Sequence, residues 1–372
     1  MSLPRVPGGR GGRDRGLDVL IRPDRRGGLE LQCLPEIDGG APEAFEPPVS
    51  AGQLPALLAA LEAKVLESAM ECDGAEALPG RHVRTGPASP PLDLDVDELA
   101  EKLYTSVFRP RIEKAYTFRQ GGAAENPEGG AIRLRLALDP AEEEAAFLCS
   151  LPWELMTPPN RATPLALNPL RTVVRALKPR DASSPTLPWP QGEALRVLVA
   201  GAAPVGEAPL DLEAEVEAIQ AAGRGYAMPD FEILLPASAL SLRDRLMRQQ
   251  SHVLHLMCHG DFDPQTGEGT LILVGERGGS DPRHSRELAR LLAGCPHLRL
   301  VVLNACRGGQ FPRRRCLDPC SGVAQTFIRE GIPAVVAHQF PISDRAAIAF
   351  TGGLYSRLMS GESLEAAVAE GR

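Results

Sequence analysis

The chain has 372 residues, is 43% hydrophobic and 24% charged, and carries a net charge of −8. The length argues for two domains, and the apolar share is that of an ordinary globular core. The acidic balance without a basic face argues against direct nucleic-acid binding, and no apolar run approaches membrane-spanning length.

Residues 1–15 are rich in Arg, Gly and Pro and read as a disordered tail. They lack the apolar stretch of a secretory signal. The eight cysteines are scattered rather than grouped into a framework. Both features point to a reducing cytoplasm. Leu17–Arg22 and Leu29–Leu34 read as two strands joined by Arg25-Arg26-Gly27-Gly28. Leu54–Met70 and Val96–Phe108 read as helices, the second capped by Asp95. Ala131–Leu138 alternates like a half-exposed strand, Pro140–Leu148 looks helical, and Arg171–Leu177 reads as a strand. Lys178 to Gly192 is Pro- and Ser-bearing and aperiodic, so it reads as a linker between domains at 1–180 and 193–372.

Beyond the linker, strands and helices alternate, the mark of a parallel α/β sheet. Leu195–Gly201 is a strand, followed by the helix Leu212–Ala222 with Asp211 as cap. Phe231–Leu235 is a strand, and Leu240–Gln250 a helix with Ser238 or Ser241 near its start. His252–Cys258 is a short apolar strand, and a hairpin is expected around Thr270–Val274. The helix Ser285–Ala293 precedes a second apolar strand at Leu298–Ala305. Ser321–Glu330, Pro333–His338, Ser343–Met359 and Leu364–Glu370 read as helix, strand, helix and helix. The chain stops at Arg372 in what looks like mid-helix, which fits a fragment of a longer protein or a processed product.

Two strand ends carry the chemistry. The first apolar strand runs into His259-Gly260, and the second into Cys306-Arg307-Gly308-Gly309. Groups just past the carboxyl ends of strands in an open α/β sheet face one crevice. A thiol with an imidazole in reach is the minimum apparatus of a thiol nucleophile. His255 sits deeper on the same face as His259 and reads as a core histidine, and Cys258 reads as packing. Gly201 to Gly206 invites a nucleotide reading, but it lacks the Lys-Ser/Thr of a phosphate loop, and Pro204 removes an N–H. Cys316 and Cys320 have no second pair, which makes a metal site a poor reading.

Caspases carry Gln-Ala-Cys-Arg-Gly with a His about 50 residues upstream, and this chain reads Asn304-Ala305-Cys306-Arg307-Gly308 after His259. From about residue 130 to 372 the chain resembles a CHAT domain, the bacterial caspase-like module of the caspase, separase and gingipain group. Leu151-Pro152-Trp153-Glu154-Leu155 resembles an element upstream of the family's protease core, and His338 to Asp344 resembles its strand, aromatic and Asp. Residues 1–125 show no such resemblance.

The resemblance implies a caspase-like α/β sandwich with a mostly parallel central sheet, preceded by a regulatory or pseudo-caspase-like α+β domain packed on it. It implies a cysteine endopeptidase working through a Cys306 thioester, with His259 as general acid and base. Gly260 and Cys306 would supply the oxyanion N–H groups. Gly260 suits that place, because a side chain would obstruct the scissile carbonyl and restrict the turn.

Asn304 sits where caspases place a pocket-lining Gln; it either lines the pocket or satisfies nearby backbone. Asp344 resembles an Asp that selects a basic residue before the scissile bond; the other reading is a helix cap, for which Ser343 serves equally well. Phe340 stands where much of the family has Trp. Arg313-Arg314-Arg315 reads as a self-cleavage segment or a solvated basic loop. No metal or organic cofactor is needed. The expected partners are a protein substrate and an activating partner or fused regulatory domain, with no nucleic acid and no membrane. The setting implied is a bacterial stress, antiviral or cell-death pathway. The alternative is a catalytically silent caspase-like scaffold that acts by binding partners.

Overall fold

The computed structural model describes residues 16–34, 41–73, 95–124, 132–138, 142, 145–177, 194–224, 230–262, 268–305, 319–340 and 342–372. The chain divides into two compact units. One comprises residues 1–48, 95–193 and 364–369; the other comprises 49–94, 194–363 and 370–372.

The first unit holds a mixed sheet of β1 (Leu17–Pro23), β2 (Leu29–Leu34), β3 (Glu43–Phe45), β4 (Ile132–Leu138) and β5 (Arg171–Leu177). The order is β3-β2-β1-β4-β5. β1 and β2 form the expected antiparallel pair. Asp24 closes their turn by accepting from the backbone of Arg26 and Gly28, and Gly27 supplies the left-handed residue at φ 83°. β1, β4 and β5 run parallel.

Three helices precede β4: α1 (Leu54–Asp73), which groups with the second unit, α2 (Val96–Val107) and α3 (Pro110–Ala124). Asp95 caps α2 by accepting from the backbone of Asp97 and Glu98. Periodicity does not announce α3, because Gly121-Gly122 dilutes it. Pro110 nonetheless suits a first helical position, and Ile112, Ala115 and Tyr116 form its buried stripe. A helix is expected over Pro140–Leu148; the described chain there forms a 3₁₀ turn over Ala146–Ser150. That turn leads into Leu151-Pro152-Trp153-Glu154-Leu155. Trp153 is fully buried with its indole N–H donating to Leu148 O at 2.8 Å, and Glu154 takes a two-pronged ion pair from Arg175 of β5.

The second unit is built on five parallel strands: β6 (Arg196–Gly201), β7 (Asp230–Leu234), β8 (Val253–Met257), β12 (Leu300–Asn304) and β13 (Ala334–Ala337). Their order is β13-β12-β8-β6-β7. All five residues of β8 are buried, as the unbroken apolar run requires of a central parallel strand. A small antiparallel sheet of β9 (His259–Phe262), β10 (Gly269–Val274) and β11 (Ser280–His284) branches off directly after β8. The unit's helices among the described residues include α4 (Leu212–Ala222), α5 (Ala239–Gln249), α6 (Ser285–Ala293), α7 (Pro319–Arg329) and α8 (Asp344–Met359), whereas most of α9 (Leu364–Gly371) groups with the first unit. Asp211 caps α4, and Ser238 with Ser241 closes a capping box on α5. A single core joins β6, β8, β10 and β12 to α5, α6 and α7 through residues such as Leu198, Leu256, Leu271, Leu303 and Phe327.

β6 leads to β7 on one side and to β8 on the other. The carboxyl ends of β6 and β8 therefore flank the switch point where α/β sheets open a crevice. Gly201 at the end of β6 is explained by packing. A Cβ there would meet Leu235 at 2.4 Å and Leu212 at 2.8 Å. The Gly-rich turn that follows thus needs no phosphate to account for its first glycine.

Leu256 is fully buried at the centre of this core. Leu256→Ala is expected to cost about 2–5 kcal/mol of stability. Denaturant unfolding of the second unit should show a lower midpoint with an unchanged slope; an unmoved midpoint contradicts this account of the core.

Candidate active site

β8 and β12 are adjacent and parallel, and the register sets Asn304 against Met257. The ladder continues one step past β8, where Cys258 N–H donates to Asn304 O at 3.1 Å. A Cβ on Gly260 would lie 3.4 Å from the carbonyl oxygen of Ala305. The His-Gly pair and the residue just before Cys306 are therefore neighbours in space. Cys306 itself, the expected nucleophile and second oxyanion donor, lies outside the described residues, as does the Arg313–Arg315 segment.

The turn expected at Gly260 is absent. The residue belongs to β9 and is not among the glycines with positive φ. The close approach of Ala305, rather than backbone handedness, is what favours glycine here.

His259 is 4% exposed, and its Nε2 stands 2.8 Å from Ala208 O. A carbonyl can only accept, so Nε2 carries the proton and Nδ1 is the lone-pair nitrogen. That bond fixes both tautomer and ring orientation. Ala208 lies in the loop between β6 and α4. Cys258, between β8 and β9, is 1% exposed and belongs to the core cluster, as packing requires.

A cleft beside these strand ends is lined by Asp211, Glu215, Met257, Cys258, Asn304 and Asp344. Ser343 is the cap of α8, its Oγ accepting from Ala346 N–H at 3.3 Å. Asp344 is thereby free of the capping role and takes the backbone N–H of Asp211 instead. Its carboxyl is held above the ordinary 3.8, first by partial burial and then by the charges of Asp211 and Glu215. The Asp211 N–H and the nearby His259 work in the opposite direction.

Glu215 is 4% exposed and fully engaged. Asn304 Nδ2 donates to Oε2 at 2.6 Å, while His255 Nε2 at 2.9 Å and Thr351 Oγ1 at 2.8 Å donate to Oε1. Burial pushes this carboxyl up, but the His255 hydrogen bond and charge, with the hydrogen bonds of Thr351 and Asn304, outweigh it and hold the group below its ordinary range. Asn304 thus borders the cleft with its amide committed to Glu215. Beneath the pair, Tyr355 is buried with its ring 5.6 Å from that of His255. His338 packs edge-on against Phe350, its pKa pushed down to about 4 chiefly by burial. Among the described residues, no group of three or more His, Cys, Asp or Glu is placed to hold a metal ion.

The family model of the CHAT domain matches residues 97–372. This chain belongs to the CHAT domain family. The family is related to the caspase-like cysteine proteases, and the parallel sheet flanked by helices is consistent with that fold. The match begins well upstream of residue 130, taking in α2 and α3 of the first unit. No curated protein matches the chain. Among the described residues, no helix is long and apolar enough to cross a membrane.

Two elements of this CHAT domain's site escape sequence reasoning. Ala208 acts through a backbone carbonyl, which has no side-chain signature. Glu215 lies one turn beyond the Asp211 cap, on the same helix face, but a Glu in a helix with Glu213 and Glu217 looks like any solvated acid. Its two buried neighbours on α4, Val216 and Ile219, are the only cue to a buried face.

The raised Asp344 carboxyl has a thermodynamic consequence. Between 3.8 and its raised value the folded chain binds more protons than the unfolded chain, so stability falls as pH rises through that window. Asp344→Asn is therefore expected to melt above the wild type at pH 7, by a margin kept small because water still reaches the partly buried carboxyl. The gap should close as the pH approaches 3.8. Equal melting at pH 7, or a gap that does not vary with pH, contradicts this reading of the cleft.

Proposed function

We propose that this chain is a cysteine endopeptidase that cleaves a protein substrate after a basic residue. One observation carries the reading: an imidazole with its Nε2 held by Ala208 O, beside the strand end that runs into Cys306. Orienting a base through a third group is the logic of nucleophilic triads. Here a carbonyl takes the place of a carboxylate.

In the proposed reaction Nδ1 of His259 takes the proton of the Cys306 thiol. The thiolate adds to the scissile carbonyl carbon. The oxyanion is received by the N–H groups of Gly260 and Cys306. As the C–N bond breaks, His259 returns the proton to the leaving amine, and a thioester remains. Water, deprotonated by His259, then attacks the thioester and releases the acid product and the thiol. No metal or redox partner enters the balance.

The Asp344 carboxylate, above the cleft and beside a second acid at Asp211, favours a cationic side chain before the scissile bond. Asn304 contributes to that pocket through its position at the cleft edge. The first unit acts as a regulatory companion, and an activating partner or fused domain sets when the site works. The setting is cytoplasmic, in a bacterial stress, defence or cell-death pathway.

A fluorogenic peptide panel with Arg, Lys, Asp or Leu before the scissile bond tests this. Cleavage is expected after Arg and Lys, and Cys306→Ala is expected to abolish it. Asp344→Asn should lower kcat/KM on Arg peptides about tenfold or more, ~1.4 kcal/mol, and leave Leu peptides unchanged. If no peptide is cut and an arginyl acyloxymethyl ketone does not label Cys306, the chain is a caspase-like scaffold instead.

A further inference from the structure

We propose that Glu215 is a positioning residue, which sets the end of β12 through Asn304, two residues before Cys306 in the chain. The proposal rests on the reading of Cys306 as the nucleophile for its functional meaning, though not for its geometry.

A buried carboxylate is costly unless every lone pair is used. Glu215 uses both oxygens, and its donors come from three different elements. His255 is on β8, Asn304 on β12, Thr351 on α8, and Glu215 itself on α4. One side chain therefore ties four elements at one point. Apolar residues of similar volume commonly replace buried charged groups without loss of stability. Packing alone does not ask for a charge at this site, whose α4 neighbours Val216 and Ile219 are apolar.

What the charge does supply is direction. Asn304 is the last residue of β12 and precedes Cys306 by two positions. Its short 2.6 Å bond to Glu215 is charge-assisted. The same eight-residue stretch, 208–215, also holds the other parts of the site. Ala208 O orients His259, and the Asp211 N–H donates to Asp344. The start of α4 is thus a jig that sets base, pocket acid and nucleophile strand against one another.

The test is alkylation of the full chain by iodoacetamide. Labelling of Cys306 is followed by mass spectrometry of its peptide as a function of pH, with half-buried Cys33 as internal control. Glu215→Gln is expected to slow labelling of Cys306 at pH 7 about tenfold, and to move its pH midpoint up by about one unit. Cys33 should be unaffected. Asn304→Ala should reproduce the effect, and the double variant should add little to either single change. Thr351→Val removes a donor from the same carboxylate without touching β12. It should lower the melting temperature but leave the Cys306 profile in place.

An unchanged Cys306 profile in Glu215→Gln overturns the proposal. So does a shift of equal size in Thr351→Val, which would make Glu215 a plain stability residue. Should Glu215→Gln fail to fold, Asn304→Ala decides alone, by moving the Cys306 profile or leaving it. A wild-type chain that cleaves no peptide and takes no arginyl acyloxymethyl ketone sinks the protease reading, yet these alkylation rates still decide what Glu215 does.

Discussion

The parallel pairing of β8 with β12 is the constraint on which the rest of the site depends. Its register fixes Met257 opposite Asn304, and every later placement follows. A slip of one residue would turn the side chains of β12 to the opposite face. The pairing is secured by burial on both faces. β8 has no exposed residue, and Val301, Leu303 and Ala305 enter the same core as Leu254, Leu256 and Cys258. Each fully buried aliphatic side chain contributes about 1.5–3 kcal/mol, so the strand ends are held by packing some distance from the chemistry.

Against that apolar frame, the site concentrates groups that do not favour folding. Asp211, Glu215 and Asp344 share one cleft, and Asp344 is pushed up in part by the other two. Glu215 is stabilised by its neighbours, whereas the Asp344 carboxyl is held up by burial and by the two acids beside it. Perturbed carboxyls of this kind cluster at functional sites. The buried pair of Glu215 and His255, with Tyr355 beneath, is a second polar cluster inside an otherwise hydrophobic sheet-helix layer. Polar clusters of this kind hold geometry firmly when satisfied.

Legibility followed the kind of signal. Helices with a clear period were plain: α4, capped by Asp211, α6, which has no side-chain cap, and α8, capped by Ser343, stand where the pattern puts them. The parallel strands β6, β8 and β12 were equally plain, because buried strands are short unbroken apolar runs. α3 was not, since Gly121-Gly122 hides its stripe, and β3 is too short to register. The continuation of His259-Gly260 into β9 was not legible, because a strand that starts on His-Gly carries no apolar period. In the first unit, Leu151-Pro152-Trp153-Glu154-Leu155 was visible as a motif. Its work, a buried indole and the Glu154–Arg175 pair, was not visible.

By itself, the sequence determined the α/β class, the order of elements in the second unit, and the candidate pair of His259 and Cys306, because those depend on local period, caps and residue chemistry. The tertiary structure alone decided which groups surround His259 and the strand end before Cys306. The hold of Ala208 O on His259 is made by a backbone atom. The bond from Asn304 to Glu215 spans 89 residues of chain. Neither has a local pattern, because a contact between distant segments is written in strand register and helix placement rather than in neighbouring residues.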